Sequence, residues 1–349
     1  MTNNDEILKK AEKIIGDKLW CKAPFEELVF LDDGETFPCC PDYIDRYSYG
    51  NIYKNSSAEI SNGERAAAFR QAVVDASFRY CHLDMCLNFQ NLKNNIKHNC
   101  RKDFQDIDVR KVKFKKIQLN IDNSCNVRCI TCRDRFVADS NEEFERKKKV
   151  FHDVILPFFY ENDIEEVYID GSGEVFASKI SLYMLKILTE KFPKIKYEII
   201  TNGLHFDEET CKKLGLENKI RKVIFSIHAA TKETYDKIVR NSEFDRVMDN
   251  LKYAVELKNQ GKIEEIDMNF VVSTLNFEEM PEFQRLANDY NVYTHFTEYR
   301  PWGHVEMDKD YENYAVYLPQ NPHYARFKEI LKDEIFKSPN CNINLRLAD

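Results

Sequence analysis

The 349-residue chain has no long apolar run. Its most apolar stretches, such as Val154–Tyr160 and Phe270–Val272, fall far short of the ~20 residues a membrane span needs, so it is not expected to cross a bilayer. The opening MTNNDEILKK has no apolar segment of the kind that directs export, and the expected location is the cytoplasm. Nor is there an excess of base. With 51 Lys+Arg against 59 Asp+Glu the net charge is −8, which argues against unaided binding to a nucleic-acid backbone. Internal repeats and low-complexity segments are absent, and 43% hydrophobic with 32% charged residues is globular composition, which excludes a wholly disordered or fibrous chain.

What the chain has in quantity is cysteine. There are 11, nine of them before residue 133. In a reducing compartment, grouped thiols are more often metal ligands than disulfides.

From residue 116 onward, β-rich runs alternate with helical stretches, the pattern of parallel strands joined by helical crossovers. Strands are expected at Lys116–Asp122, Glu166–Asp170, Tyr197–Thr201, Lys222–His228, Glu265–Ser273 and Val292–Tyr299. Helices are expected at Asn141–Tyr160, Ala177–Lys191, Asp207–Leu214, Thr231–Gln260 and Asn276–Asp289. Six such units without a seventh suggest an α/β fold with a partial (β/α)6 TIM-like barrel, whose chemistry would sit at the C-terminal strand ends. Those ends are polar or glycine-containing in every case, among them Gly171-Ser172-Gly173-Glu174, Thr201-Asn202-Gly203, Ser226-Ile227-His228 and Glu298-Tyr299-Arg300. Residues 1–115 read as a small α+β domain and connector, with an opening helix and a hairpin over Leu28–Phe37 that turns at Asp32-Asp33-Gly34. The barrel would run over 116–305, and 306–349 would form a C-terminal extension with a helix. Arg146-Lys147-Lys148-Lys149 reads as a solvated helix face.

Directly after the first barrel strand comes Cys125-Asn126-Val127-Arg128-Cys129-Ile130-Thr131-Cys132. Three thiolates at C-x3-C-x2-C spacing can hold three irons of a [4Fe-4S] cluster and leave the fourth open to a chelating ligand. A zinc site completed by a histidine is the alternative. The loop resembles that of the radical S-adenosylmethionine enzymes, a superfamily in which this spacing follows the first strand of a partial (β/α)6 barrel. The resemblance implies that the cluster binds S-adenosylmethionine and reductively cleaves it to a 5′-deoxyadenosyl radical, which removes a substrate hydrogen. It also implies cofactor contacts at Gly171, Ser172, Gly173 and Glu174, a loose match to a Gly-Gly-Glu motif, and at Asn202, Ser226 and Arg240. Thr131 stands where these enzymes commonly carry an aromatic residue.

Cys21, Gly34 and Cys39, with Cys81 and Cys86 as a closing pair, are similar to the SPASM or shortened Twitch auxiliary domain, here ahead of the barrel rather than after it. The resemblance implies that these four cysteines hold a second, auxiliary [4Fe-4S] cluster that aids electron transfer, with zinc again the alternative. Cys40 could replace Cys39; Cys100 is either a spare ligand or a surface thiol, the latter favoured; Cys211 and Cys341 are either ordinary thiols or hydrogen-atom donors. His228 and the segment Phe296–His304 are either site or packing residues.

The resemblance makes the chain an oxidoreductase that functionalises C–H bonds, served by a reductant such as flavodoxin or ferredoxin. Its substrate is expected to be a peptide side chain, the alternative being dehydrogenation or epimerisation of a sugar, aminocyclitol or other small metabolite. A non-catalytic zinc or iron–sulfur scaffold is the rival from another class.

Overall fold

A computed structural model describes residues 3–15, 19–86, 89, 107–169, 172–301 and 305–345. Among the described residues twelve strands occur in chain order: β1 Glu27–Leu31, β2 Glu35–Phe37, β3 Gly50–Asn51, β4 Lys116–Asn120, β5 Arg128–Cys129, β6 Glu166–Ile169, β7 Lys196–Thr201, β8 Ile220–Ser226, β9 Val239–Arg240, β10 Ile263–Val272, β11 Tyr293–Glu298 and β12 Cys341–Asn344. The fold class is α/β. Strands β4, β6, β7, β8, β10 and β11 stand where the sequence places them, with helices between, in the chain order of a partial (β/α)6 barrel that follows a small α+β segment.

The chain divides into two compact units, Met1–Ile121 with Asn141–Tyr168, and Asp122–Ser140 with Ile169–Asp349. In the first, β1 pairs antiparallel with β2, and β2 with β3. The expected hairpin forms, and its turn needs Gly34: φ is +85°, and a Cβ there would lie 2.5 Å from the Tyr53 ring. On its other side β1 pairs parallel with β4 over five residues, Glu27↔Lys116 to Leu31↔Asn120, and β4 pairs parallel with β6. The boundary expected at residue 115 therefore lies inside this unit. The expected helix from Asn141 is interrupted by a π turn at Phe151–Ile155 before it resumes at Leu156–Glu161. Pro157 has no N–H to return to the preceding turn, and the ladder widens ahead of it. The basic run on this helix is not simply solvated. Arg146 pairs with Glu143, Lys148 with Glu145 and Lys149 with Asp153, whereas Lys147 is buried.

In the second unit β7, β8, β10, β11 and β12 form a parallel array in that order. Strand β12 is an added strand in the C-terminal extension, too short and too polar in Cys-Asn-Ile-Asn to read as one. Alternation sorts the faces. Val223, Phe225, Ile266, Met268, Phe270, Thr294 and Phe296 are buried on one face, where Phe283 of the helix Met280–Tyr290 meets Phe270 and Phe296. The other face carries Lys222, Ser226, Asp267, Asn269, His295, Thr297 and Asn342, with Ile224 and Val271 between them, and it is mainly polar. The long helix expected over Thr231–Gln260 is two helices, Lys232–Ile238 and Phe244–Asn259, parted by β9 and by Asn241 at φ +63°. That break lets β9 pair antiparallel with β5. No helix among the described residues is long and apolar enough to cross a membrane.

Candidate functional site

The cysteine loop is rooted in Asp122. Its Oδ1 accepts the Ser124 N–H at 3.3 Å and the Ser124 hydroxyl at 3.1 Å, and its Oδ2 accepts the Ser178 hydroxyl. Beyond this root the backbone fixes each thiol. Cys125 N–H donates to the Val137 carbonyl at 2.8 Å, Ile130 N–H donates to Ile238 at 3.0 Å, and Cys132 N–H closes a turn onto the Cys129 carbonyl at 3.0 Å. Cys129 itself lies on β5, opposite Val239 of β9. The three thiols are close enough to act on one another electrostatically. Burial and the neighbouring Cys132 and Cys125 push the Cys129 thiol well up, and burial raises Cys125 against the pull of Arg133.

Arg133 was not singled out in the sequence. Its guanidinium donates to the Asn123 carbonyl at 2.7 Å, to the Ser172 carbonyl at 2.9 Å and to Cys132 Sγ at 3.5 Å, joining the loop's root, the second-strand loop and the third thiol. Gly171 lies outside the described residues. Gly173 packs directly on the loop's backbone: a Cβ there would meet Ser124 O at 2.5 Å and Asp122 O at 2.8 Å. Glu174 follows, 2% exposed. Its carboxylate accepts the Thr201 hydroxyl at 2.7 Å, the Phe176 N–H at 3.2 Å and the Asn202 N–H at 2.6 Å. A carboxylate has about four acceptor positions, so one remains for a bound cation. Burial raises its pKa, and the three donors oppose that rise.

Asn202 is held from both ends. Its Oδ1 accepts the Leu204 N–H at 3.0 Å and its Nδ2 donates to Asn126 Oδ1 at 2.9 Å. This fixes the Asn126 amide within the cysteine loop with its Nδ2 buried and unsatisfied. Ser226 ends β8, half-buried on the polar face opposite Asn269 of β10. Arg240 is exposed on β9, opposite Arg128. Thr131 is buried.

His228 is structural. Its ring Nδ1 accepts the Val271 N–H at 3.2 Å, and burial pushes its pKa down to about 4, so it stays neutral. Phe296 and Tyr299 are packing residues; Tyr299 forms a buried cluster with Val305 and Met307, its hydroxyl donating to Asp308. Trp302, Gly303 and His304 lie outside the described residues. Lower on the polar face, Asp267 Oδ2 accepts from Lys222 and from His295 Nε2, the latter at 2.7 Å, and Asn342 reaches His295 Nδ1 at 3.0 Å.

In the first unit, Cys21, Cys39, Cys81 and Cys86 converge. Burial pushes Cys21 up to about 12, with Cys86 adding to the rise, and Cys39 is raised by burial and then by Cys21, Cys81 and Cys86. The convergence groups Cys39 with the other three. Cys100 lies outside the described residues. Cys211 is buried on the helix Glu208–Lys213, and Cys341 shares the helix-packed face with its register partner Thr294. Among the described residues no three His, Cys, Asp or Glu side chains meet as ligands of a single metal ion. A cubane makes no such demand, because each of its thiolates takes a different iron. The donor sets, three thiols in one unit and four in the other, suit iron–sulfur clusters.

Residues 119–287 match the radical SAM superfamily, and residues 21–133 match the SPASM iron–sulfur cluster-binding domain. The chain is similar to a GTP 3′,8-cyclase of Petrotoga mobilis, 27% identical over 229 residues that cover 64% of this chain and 65% of that protein. It is also similar to the FeMo cofactor biosynthesis protein NifB of Methanocaldococcus infernus, 26% identical over 275 residues, 67% of this chain and 89% of that one. Among solved structures, native anSMEcpe with bound AdoMet aligns at 17% identity and a TM-score of 0.41, covering 66% of this chain and 63% of that one. The chain spans less than two thirds of the length of the cyclases it matches, 65% of the Petrotoga mobilis protein. With both thiol sets in place and both matches falling across them, the chain belongs to the radical S-adenosylmethionine superfamily and carries an N-terminal SPASM domain, so that its cofactors are a [4Fe-4S] cluster, S-adenosylmethionine and an auxiliary iron–sulfur cluster.

Proposed function

We propose that this enzyme works in the cytoplasm on a small polar metabolite, rather than on the peptide side chain that the auxiliary domain suggested. Two things support this: the polar sheet face with Ser226, Asn269, Thr297, His295, Asp267 and Lys222, and the small-molecule names of the relatives. A pocket for small ligands is fixed by a few placed polar groups.

In this reading Cys125, Cys129 and Cys132 hold the catalytic cluster, and Cys21, Cys39, Cys81 and Cys86 the auxiliary one. Residues 1–115 serve the auxiliary cluster, 116–305 the radical chemistry, and 306–349 extend the second part. The bound cofactors supply one electron that splits S-adenosylmethionine and a nucleoside radical that takes a hydrogen from the substrate. The protein supplies position. Ser172, Gly173 and Glu174, with Gly171, would take the amino end of S-adenosylmethionine at the remaining acceptor position of Glu174, whose other positions are filled by Thr201, Asn202 and Phe176. Asn202 and Ser226 would contact the rest of the molecule, whereas Arg240, exposed and in register with Arg128 rather than with Cys129, stands apart from them. The observation that carries this is the close approach of Gly173 to the Ser124 and Asp122 carbonyls, which joins the loop expected to hold the cofactor to the cysteine loop.

The test is anaerobic: reconstitution, iron and sulfide content, and 5′-deoxyadenosine release with dithionite, beside the variant Cys125→Ala/Cys129→Ala/Cys132→Ala. About eight irons with release, falling to about four and none in the variant, is the expected outcome for two cubanes. Zinc in place of iron would leave a scaffold as the better reading.

A further inference from the structure

We propose that the two-stranded ribbon β5/β9, with Phe136 beside it, is the docking surface for an acidic one-electron carrier protein that reduces the cysteine-loop site. The inference rests on the radical reading above.

Arg128 and Arg240 stand directly opposite in the ribbon's register. Like charges in that relation destabilise an antiparallel pair, yet among the described residues neither arginine has a carboxylate partner. Arg128 Nε and Nη2 donate at 3.2 and 3.0 Å to Asn241 Oδ1, a neutral amide that leaves the guanidinium charge uncompensated. The same guanidinium lies 5.1 Å from the centre of the Phe136 ring. Phe136 is 51% exposed, one of the few large apolar side chains left in water. Arg135, beside it, is exposed too, and Asp134 is the only acid between Arg133 and Val137.

The ribbon is one residue thick in the sense that matters. Arg128 and Cys129 are consecutive in β5, and consecutive side chains leave a strand on opposite faces. A carrier resting on Arg128 is therefore separated by a single strand from a thiol of the candidate cluster. The transfer moves one electron from carrier to cluster, and no atom changes hands. The chain's net charge of −8 would repel an acidic carrier elsewhere, so a local cationic plate steers it to this face. Arginine and exposed aromatics are also the residue types enriched where protein partners meet.

The experiment titrates a recombinant flavodoxin against the reconstituted protein and its Arg128→Glu/Arg135→Glu variant, following flavin fluorescence anisotropy at low and raised ionic strength. Arg240 is left unchanged, so that the substitutions are confined to the cysteine-loop side of the ribbon. The wild type is expected to bind, less tightly as salt rises, and the variant to bind at least about tenfold more weakly, with a matching fall in flavodoxin-driven 5′-deoxyadenosine release. Equal binding by both proteins, no binding by the wild type, or wild-type self-association that the substitutions abolish would overturn the proposal. Dithionite-driven release, measured in parallel and expected to be the same in both proteins, reads the radical assignment separately.

Discussion

Glu174 donates its backbone N–H to the carbonyl of Ser124 at 2.8 Å, and Gly173 beside it touches the same carbonyl so closely that no side chain fits between. The second-strand loop is thus seated on the root of the cysteine loop by backbone alone. Gly173→Ala should cost about 1–3 kcal/mol of stability by overpacking and lower the affinity for S-adenosylmethionine. Urea midpoints and equilibrium dialysis check this; an unchanged midpoint would show that the loops can separate freely.

Asp122 gathers three hydrogen bonds in a buried setting, two from Ser124 and one from Ser178. Asp122→Ala leaves those donors without an acceptor, at a cost of about 1–3 kcal/mol. Iron retained by Cys125, Cys129 and Cys132 should fall with it. Ser178→Ala, which removes a single donor, should be milder. Iron content after gel filtration, read beside a denaturation curve, tests the order.

Acid should unfold the protein early, for two reasons of the same sign. Burial would raise Asp267, but the hydrogen bonds from His295 and Lys222 outweigh it and hold the carboxyl below the usual range. A carboxyl depressed in the folded state contributes stability that is present above the unfolded pKa and lost as pH falls through the folded one. His228 is pushed down to about 4, so below the ordinary histidine range the unfolded chain binds a proton that the folded chain refuses. Denaturation midpoints followed into acid should therefore decline steadily, and Asp267→Asn should flatten the lower part of that decline. An identical decline in the variant would remove Asp267 from the account.

Cys341→Ser should leave 5′-deoxyadenosine release and product stereochemistry as they are, because the thiol sits on the helix-packed face with Thr294 and away from the polar face. Cys211→Ser should act only through stability, by placing a hydroxyl in a buried site at a cost of about 1–3 kcal/mol. Deuterium incorporation into product, altered by either substitution, would reinstate a hydrogen-donor role.

Local signals made much of this legible beforehand. The six barrel strands announce themselves by β-rich runs, and Cys125, Cys129 and Cys132 by their spacing, because each signal is complete within a few residues. What stayed hidden depends on distance along the chain. Asp122 and Ser178 are 56 residues apart, and nothing in either segment says that they meet. Arg133 looks like any surface arginine until Ser172 is folded against it. The helix break at Val239–Arg240 shows in the sequence only as the weak helix formers Ile238, Val239, Asn241 and Ser242, and nothing local says that the segment pairs with Arg128–Cys129 more than a hundred residues earlier. Lys147 reads as solvated because its neighbours in the run are basic, and only packing buries it.

The parallel pairing of β1 with β4 bears on how the enzyme can be taken apart. An expression clone begun at residue 116, chosen to isolate the radical half, would deprive Lys116–Asn120 of the strand that covers one side of it. The backbone donors and acceptors of alternate residues, those that face β1 rather than β6, would then form a bare sheet edge, an invitation to edge-to-edge aggregation. Insolubility of such a fragment would report the loss of Glu27–Leu31, whatever the competence of the cysteine loop downstream.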